Sequence, residues 1–175
     1  GMGIPCGGYM SVIVEPQMLN KTLLIRGMGG LTEILCEMGS MLNFKVIVQT
    51  SEEEKERYPS AAEIIVDNLE IEDIDFHVDY FILATHHRND DRVSLEALKK
   101  GIPYVGVVAS TKKTGIILEY LRKNGVTEKE LANFFSPTGL ELNAKTPEQI
   151  ALSILSEMVM LENGGTGNQK KKYKT

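Results

Sequence analysis

The stretch Thr22–Leu35, TLLIRGMGGLTEIL, decides the fold. Its first five residues are mostly apolar and rich in strand formers. Gly27, Gly29 and Gly30 follow, and beyond them Leu31, Ile34, Leu35, Met38, Met41 and Leu42 recur at helical spacing on one face. A buried strand running through glycines into an amphipathic helix is the opening of a unit that holds a phosphate on a helix N-terminus. Gly27 can make the tight turn and Gly29 can let the backbone approach a ligand. The amides from Met28 to Leu31, with Gly30 at the helix start, then point at the anion. Thr32 stands where a third glycine would be expected in a G-x-G-x-x-G turn.

Working outward, FKVIVQT is a second strand of parallel type, and EIIVD a third. YFILATHH is almost continuously apolar, as a strand buried on both faces should be, and IPYVGVVAS is a fifth. Between them lie SEEEKERYP, a short acidic helix or loop with Ser51 as a cap, and DDRVSLEALKKG, a helix started by Asp90 or Asp91 and ended by Gly101. TKKTGIILEYLRKNG is a further helix. VTEKELANFF starts with a capping box, Thr127 and Glu130, and TPEQIALSILSEMVML with another, Thr146 and Gln149 around Pro147. Strands alternating with helices predict an open parallel sheet covered on both faces, in the order 3-2-1-4-5. SVIVEP is left over as an extra N-terminal strand. The expected organisation is an arm over residues 1–20, a Rossmann-like α/β domain over 21–162 and a disordered basic tail over 163–175.

Composition excludes several classes. With 42% hydrophobic and 25% charged residues the chain reads as an ordinary globular protein. No apolar run approaches the roughly 20 residues of a membrane span, and no basic-then-apolar leader opens the sequence, so no membrane association and a cytoplasmic location are expected. Gly1 ahead of Met2 reads as an expression remnant. The net charge is −5, although the last thirteen residues carry four lysines and no acid, so the body is more acidic still. Such a body is a poor nucleic-acid binder. Cys6 and Cys36 are far apart and a reducing compartment argues against their pairing. The arm strand needs a partner for its backbone groups, which predicts a homodimer.

Three turns converge on the carboxyl ends of the strands, where ligands gather in such sheets. The first is the glycine turn. The second, ATHHRNDD, brings Thr85, His86 and Asp91. The third, VASTKK, brings Ser110, Lys112 and Lys113 as a second anion site. Gln49 occupies the end of the second strand, where an acid would hold a ribose hydroxyl. Glutamine can still bond a hydroxyl, but the acid of an NAD site and the arginine of an NADP site are both missing.

Taken in order, CGG…VIVEP, LLIRGMGG, ATHHRNDD…LEAL, YVGVVASTKK and SPTGLELNAKTPEQIALSILSEM resemble the xanthine dehydrogenase accessory proteins of the XdhC/CoxI family, over about Cys6 to Met160. The resemblance implies the family's Rossmann half without its longer first domain. It implies a maturation factor for a molybdenum hydroxylase of the xanthine or carbon monoxide dehydrogenase type. Such a factor binds molybdenum cofactor, as molybdopterin or its cytosine dinucleotide, for sulfuration and insertion. It also implies two partners, one a separate protein supplying the missing domain and the other a molybdenum hydroxylase subunit. By the same resemblance Cys6 touches molybdenum or holds sulfur. Departures are Gln49 for an aspartate, and Ala109 and Asn143 for glycines. The alternatives are an NAD(P)-dependent oxidoreductase and a nucleotide-sensing regulatory module.

Overall fold

A computed structural model describes residues 7–13, 20–66, 69–85 and 89–172. The first strand, β1, is Thr22–Gly27, and α1 follows directly as Gly30–Met41. Strands β2 (Lys45–Thr50), β3 (Glu63–Val66), β4 (Tyr80–Ala84) and β5 (Val105–Val107) continue the sheet. A last strand, β6, is the pair Phe134–Phe135. All neighbours run parallel, in the order β3-β2-β1-β4-β5-β6. The remaining helices are α2 (Asp90–Lys100), α3 (Thr111–Lys123), the single turn α4 (Glu128–Leu131) and α5 (Pro147–Asn163).

Residue alternation along each strand builds a two-sided core. Leu24, Ile47, Phe81 and Leu83 face α2 and α3, while Leu23, Ile25, Val46, Val48 and Ile82 face α1 and α5. Each of these side chains is at most 1% exposed, so β1, β2 and β4 form the floor on which the glycine turn is held. The two capping boxes form as expected, Thr127 with Glu130 and Thr146 with Gln149, and Pro147 sits in the first turn of α5.

Several expectations need correction. The sheet has a sixth strand where VTEKELANFF reads as a longer helix. The helix stops after one turn because the Asn133 carbonyl accepts from Val105 N, and Phe135 then stacks on Tyr104 with ring centroids 4.1 Å apart. The extra strand thus lies at the carboxyl-terminal end of the order. Residues 7–13 of the N-terminal arm belong to no strand, with Tyr9, Met10, Val12 and Ile13 exposed, and the rest of SVIVEP lies outside the described residues. Asn89, not Asp90 or Asp91, takes the N-cap position of α2. Ser51 caps the 3-10 turn Glu52–Arg57 by position only, with no side-chain bond to the helix amides.

Candidate functional site

The glycine turn is shaped by a trade between two residues. Gly29 has φ of 86°, a conformation that favours glycine. Gly27 is needed for a different reason: a Cβ there would fall on Thr32 Oγ1 and lie 3.1 Å from Ala84 Cβ. Thr32 is fully buried, and its hydroxyl donates to the Met28 carbonyl at 3.4 Å. The threonine that replaces the third glycine is therefore accommodated in the space left by the first. Gly30 and Met28 complete the turn, with Met28 half-exposed at 44%.

The amide of Gly29, which a phosphate would be expected to use, already has acceptors. It donates to Glu54 Oε2 and to the Tyr58 hydroxyl oxygen, both at 3.1 Å. Tyr58 in turn donates to Glu54 Oε2 at 2.7 Å. These bonds, from Tyr58 first and Gly29 second, hold the Glu54 carboxyl below its usual range. Burial, with Glu54 adding to it, pushes the Tyr58 hydroxyl up to about 12. Arg57 ties the segment down, donating from Nε to Glu33 on α1 at 2.8 Å and from Nη1 to Glu54 Oε1 at 3.2 Å. The 3-10 turn after β2 thus lays a carboxylate across the N-terminus of α1.

A cleft of about 220 Å³ opens on the other side of the turn, lined among others by Arg26, Gly27, Met28, Gln49, Glu70, Thr85 and Arg92. Strand alternation explains the set. Arg26, Gln49 and Thr85 each lie two residues beyond a core residue of the α2-facing side, Leu24, Ile47 and Leu83. Arg26 donates from Nη2 to the Leu69 carbonyl and lies over the Phe81 ring at 5.7 Å. Among the described residues its Nε is buried with no hydrogen-bond partner, as is Gln49 Oε1. Thr50 Oγ1 is also buried, on the opposite face, where it meets the Tyr58 hydroxyl only in a geometry too poor for a regular hydrogen bond. Burial works against the charge of Arg26 and lowers its pKa, with the fields of Glu70, Glu96 and Asp90 offsetting part of the cost.

The other expected residues are distributed unevenly. Thr85 is buried and donates to Asp90 Oδ1 at 3.2 Å, and Lys113 Nζ donates to Asp90 Oδ2 at 2.5 Å. Asp90 itself is 2% exposed. Ser110 caps α3 by accepting from Lys113 N at 3.1 Å. The lysine turn therefore engages Ser110 and Lys113 in contacts within the fold, while Lys112 stands exposed. Asp91 accepts from Arg92 N at 2.7 Å. His86 and Cys6 lie outside the described residues. Among the described residues no group of three or more His, Cys, Asp or Glu could hold a metal ion. Sequence reasoning missed Arg26, Glu54, Tyr58, Asp90 and Arg92. Arg26 carried a signal, a lone charge inside an apolar strand one residue before the glycines. Glu54 and Tyr58 carried none, because their contact with Gly29 depends on how the segment after β2 folds back.

Comparison with known proteins agrees with this architecture. Residues 23–158 match the XdhC Rossmann domain family. The uncharacterized protein YqeB of Escherichia coli K12 is 29% identical over 173 residues, which is 95% of this chain and 32% of YqeB. A Bacillus subtilis protein named as a probable xanthine dehydrogenase component is 29% identical over 85 residues, 48% of this chain and 24% of that protein. A crystal structure described as a xanthine dehydrogenase from Bacillus halodurans superposes with a TM-score of 0.69 at 27% identity, covering 89% of this chain and 45% of that one. The chain spans less than half the length of each of these relatives. With its strand order, its glycine turn and the family match over most of its length, the chain belongs to the XdhC Rossmann domain family.

Proposed function

We propose that this chain is the ligand-holding Rossmann part of an accessory factor for a molybdenum hydroxylase, and that it binds a phosphate-bearing ligand, molybdenum cofactor or its nucleotide form, at the carboxyl edge of β1, β2 and β4. One observation carries the reading. Within a domain of the XdhC family, the cleft beside the glycine turn buries polar atoms, Arg26 Nε and Gln49 Oε1, that have no partner among the described residues. Buried polar groups are paired in nearly all native structures, so a cleft that leaves two unpaired suits a polar ligand.

The fit is partial in size. A cleft of about 220 Å³ admits one end of such a ligand, a phosphate with its neighbouring ring, and leaves the rest outside the domain. The pterin itself, when bound, supplies the dithiolene that holds molybdenum. This chain's residues would hold the phosphate end, orient it and shield it from water. A separate protein or a further domain covering the outer end fits the short span of this chain against its relatives. A sulfur-installing role, with a molybdenum hydroxylase as the recipient, belongs to the same proposal.

The test is twofold. Mass spectrometry of ligand carried through purification from a molybdenum-replete host should find a pterin or nucleotide at a stoichiometric level. Addition of the loaded protein, with its partner domain, to a sulfur-free molybdenum hydroxylase should raise activity. Purified protein carrying neither ligand, together with no activation, would sink the proposal.

A further inference from the structure

We infer that the ligand's anionic group binds on the α2 side of the glycine turn, with Arg26 as its counter-charge, and not on the amides of α1. The inference rests on the reading that this edge takes a phosphate-bearing ligand and specifies where the phosphate goes.

Two observations from opposite faces of the sheet lead there. On the α1 side, the Gly29 amide is engaged by the protein's own carboxylate and phenol, Glu54 and Tyr58. An external anion at that place must expel Glu54 while Arg57 holds it. On the α2 side the situation is reversed, with a cation that forms no direct ion pair among the described residues. Among the described residues Arg26 has no carboxylate within ion-pair distance, and its contacts are the Leu69 carbonyl and the Phe81 ring. Three other cations along the same edge are matched, Lys113 with Asp90, Arg57 with Glu33 and Glu54, and Arg92 with Glu96 at 3.7 Å, while Lys112 is exposed to solvent and carries no burial cost.

A half-buried guanidinium without a counter-ion costs the fold free energy, and an apolar residue would serve the end of β1 better. Its Nε is buried and without a partner among the described residues, and the cleft that Arg26 lines is also lined by Gln49, whose amide can offer either end to a ligand. Guanidinium forks match the oxygens of a phosphate better than a point charge does. Glu70 lines the same cleft, and its repulsion of an anion works against the attraction of Arg26, so the anionic group belongs on the Arg26 side of the cleft. Proximity completes the assignment, because Gly27 and Met28 form the wall between the two sides. A ligand can keep its backbone contact with the turn while its charge rests on Arg26.

Calorimetry on the whole chain tests this with two probe pairs, cytidine 5′-diphosphate against cytidine and adenosine 5′-diphosphate against adenosine. Arg26→Gln should weaken diphosphate binding at least tenfold and change nucleoside binding less than twofold. Arg26→Lys, which keeps the charge and loses the fork, should fall in between and serves if Arg26→Gln folds poorly by circular dichroism. Glu54→Gln should leave diphosphate affinity within threefold. Diphosphate binding unchanged in Arg26→Gln but abolished in Gly29→Val would place the phosphate on α1, overturning the inference and leaving the proposed function standing. Failure of the unmodified protein to bind either diphosphate at millimolar concentration would overturn it as well. The broader reading is judged separately, by the ligand found in purified protein.

Discussion

The two halves of this sheet treat their polar groups differently. Around β5 and β6 nearly everything polar is spoken for. Tyr104 OH lies 2.6 Å from Thr138 Oγ1 and donates to Glu157 Oε1 at 2.7 Å, and Gly139 N donates to the same oxygen at 3.3 Å. Thr114 and Ser136 share a hydrogen bond of 2.7 Å. Around β1 and β2, Arg26 Nε and Gln49 Oε1 are buried and unmet among the described residues. Closed networks stiffen a fold, whereas open ones carry the cost of unpaired buried groups. The stretch SPTGLELNAKTPEQI thus acts as a clamp of the domain, and the unmet buried polar atoms lie at the other end of the sheet.

The sharpest way to break this contrast is at Gly139. It has φ of 110°, and a Cβ would lie 2.5 Å from Ser153 Oγ and 3.2 Å from the Ile154 backbone nitrogen. Gly139→Ala should cost about 3 kcal/mol or more by urea denaturation, without altering which ligands bind. Tyr104→Phe comes next. It leaves the Glu157 carboxylate and Thr138 short of a partner and should cost about 1–3 kcal/mol, again with ligand affinity intact. A loss of nucleotide binding in either variant that exceeds its loss of stability would show that the clamp is part of the site.

The remaining expected effects are smaller, and the one in the open half is of the other sign. Gln49→Leu removes an orphaned acceptor, so stability should stay level or rise by up to about 1 kcal/mol, while affinity for a phosphate-bearing ligand drops. A marked destabilisation would mean that Gln49 is structural. The smallest effect is a pH dependence. In the capping box of α4, the Thr127 amide and then Lys99 hold the Glu130 carboxyl down to about 2 from its usual 4.5. A depressed carboxyl contributes stability that is complete above about 4.5 and is lost as pH falls towards 2. Glu130→Gln should therefore flatten the acid limb of a melting-temperature profile between those values and leave the ligand-binding profile unchanged.

Much of this was legible in the chain itself, because it rests on short-range pattern. The alternation of strands and helices, both capping boxes and the glycine turn are local, and local chemistry reads well from sequence. The sixth strand was not, since Phe134 and Phe135 sit at the end of a good helix start and are drawn into the sheet by Val105 and Tyr104, remote in sequence. The candidate site was half legible. Gly27, Met28, Gln49 and Thr85 do line one cleft. Lys113 of the lysine turn pairs with Asp90, a contact hidden in the sequence because it depends on an acid 23 residues away.

The carboxylate of Glu54 on the Gly29 amide has a further consequence, one of competition kinetics. Because it is tethered to the same chain, it faces the turn at an effective concentration that, for short links, is on the order of millimolar or above. Any dissolved anion aimed at that amide therefore meets a resident rival, and its apparent dissociation constant is the intrinsic one divided by the fraction of time Glu54 is away. Dissolved phosphate or a small carboxylate binds that amide more weakly by this factor. An anion held at that amide would need a second attachment elsewhere to match the local concentration of Glu54.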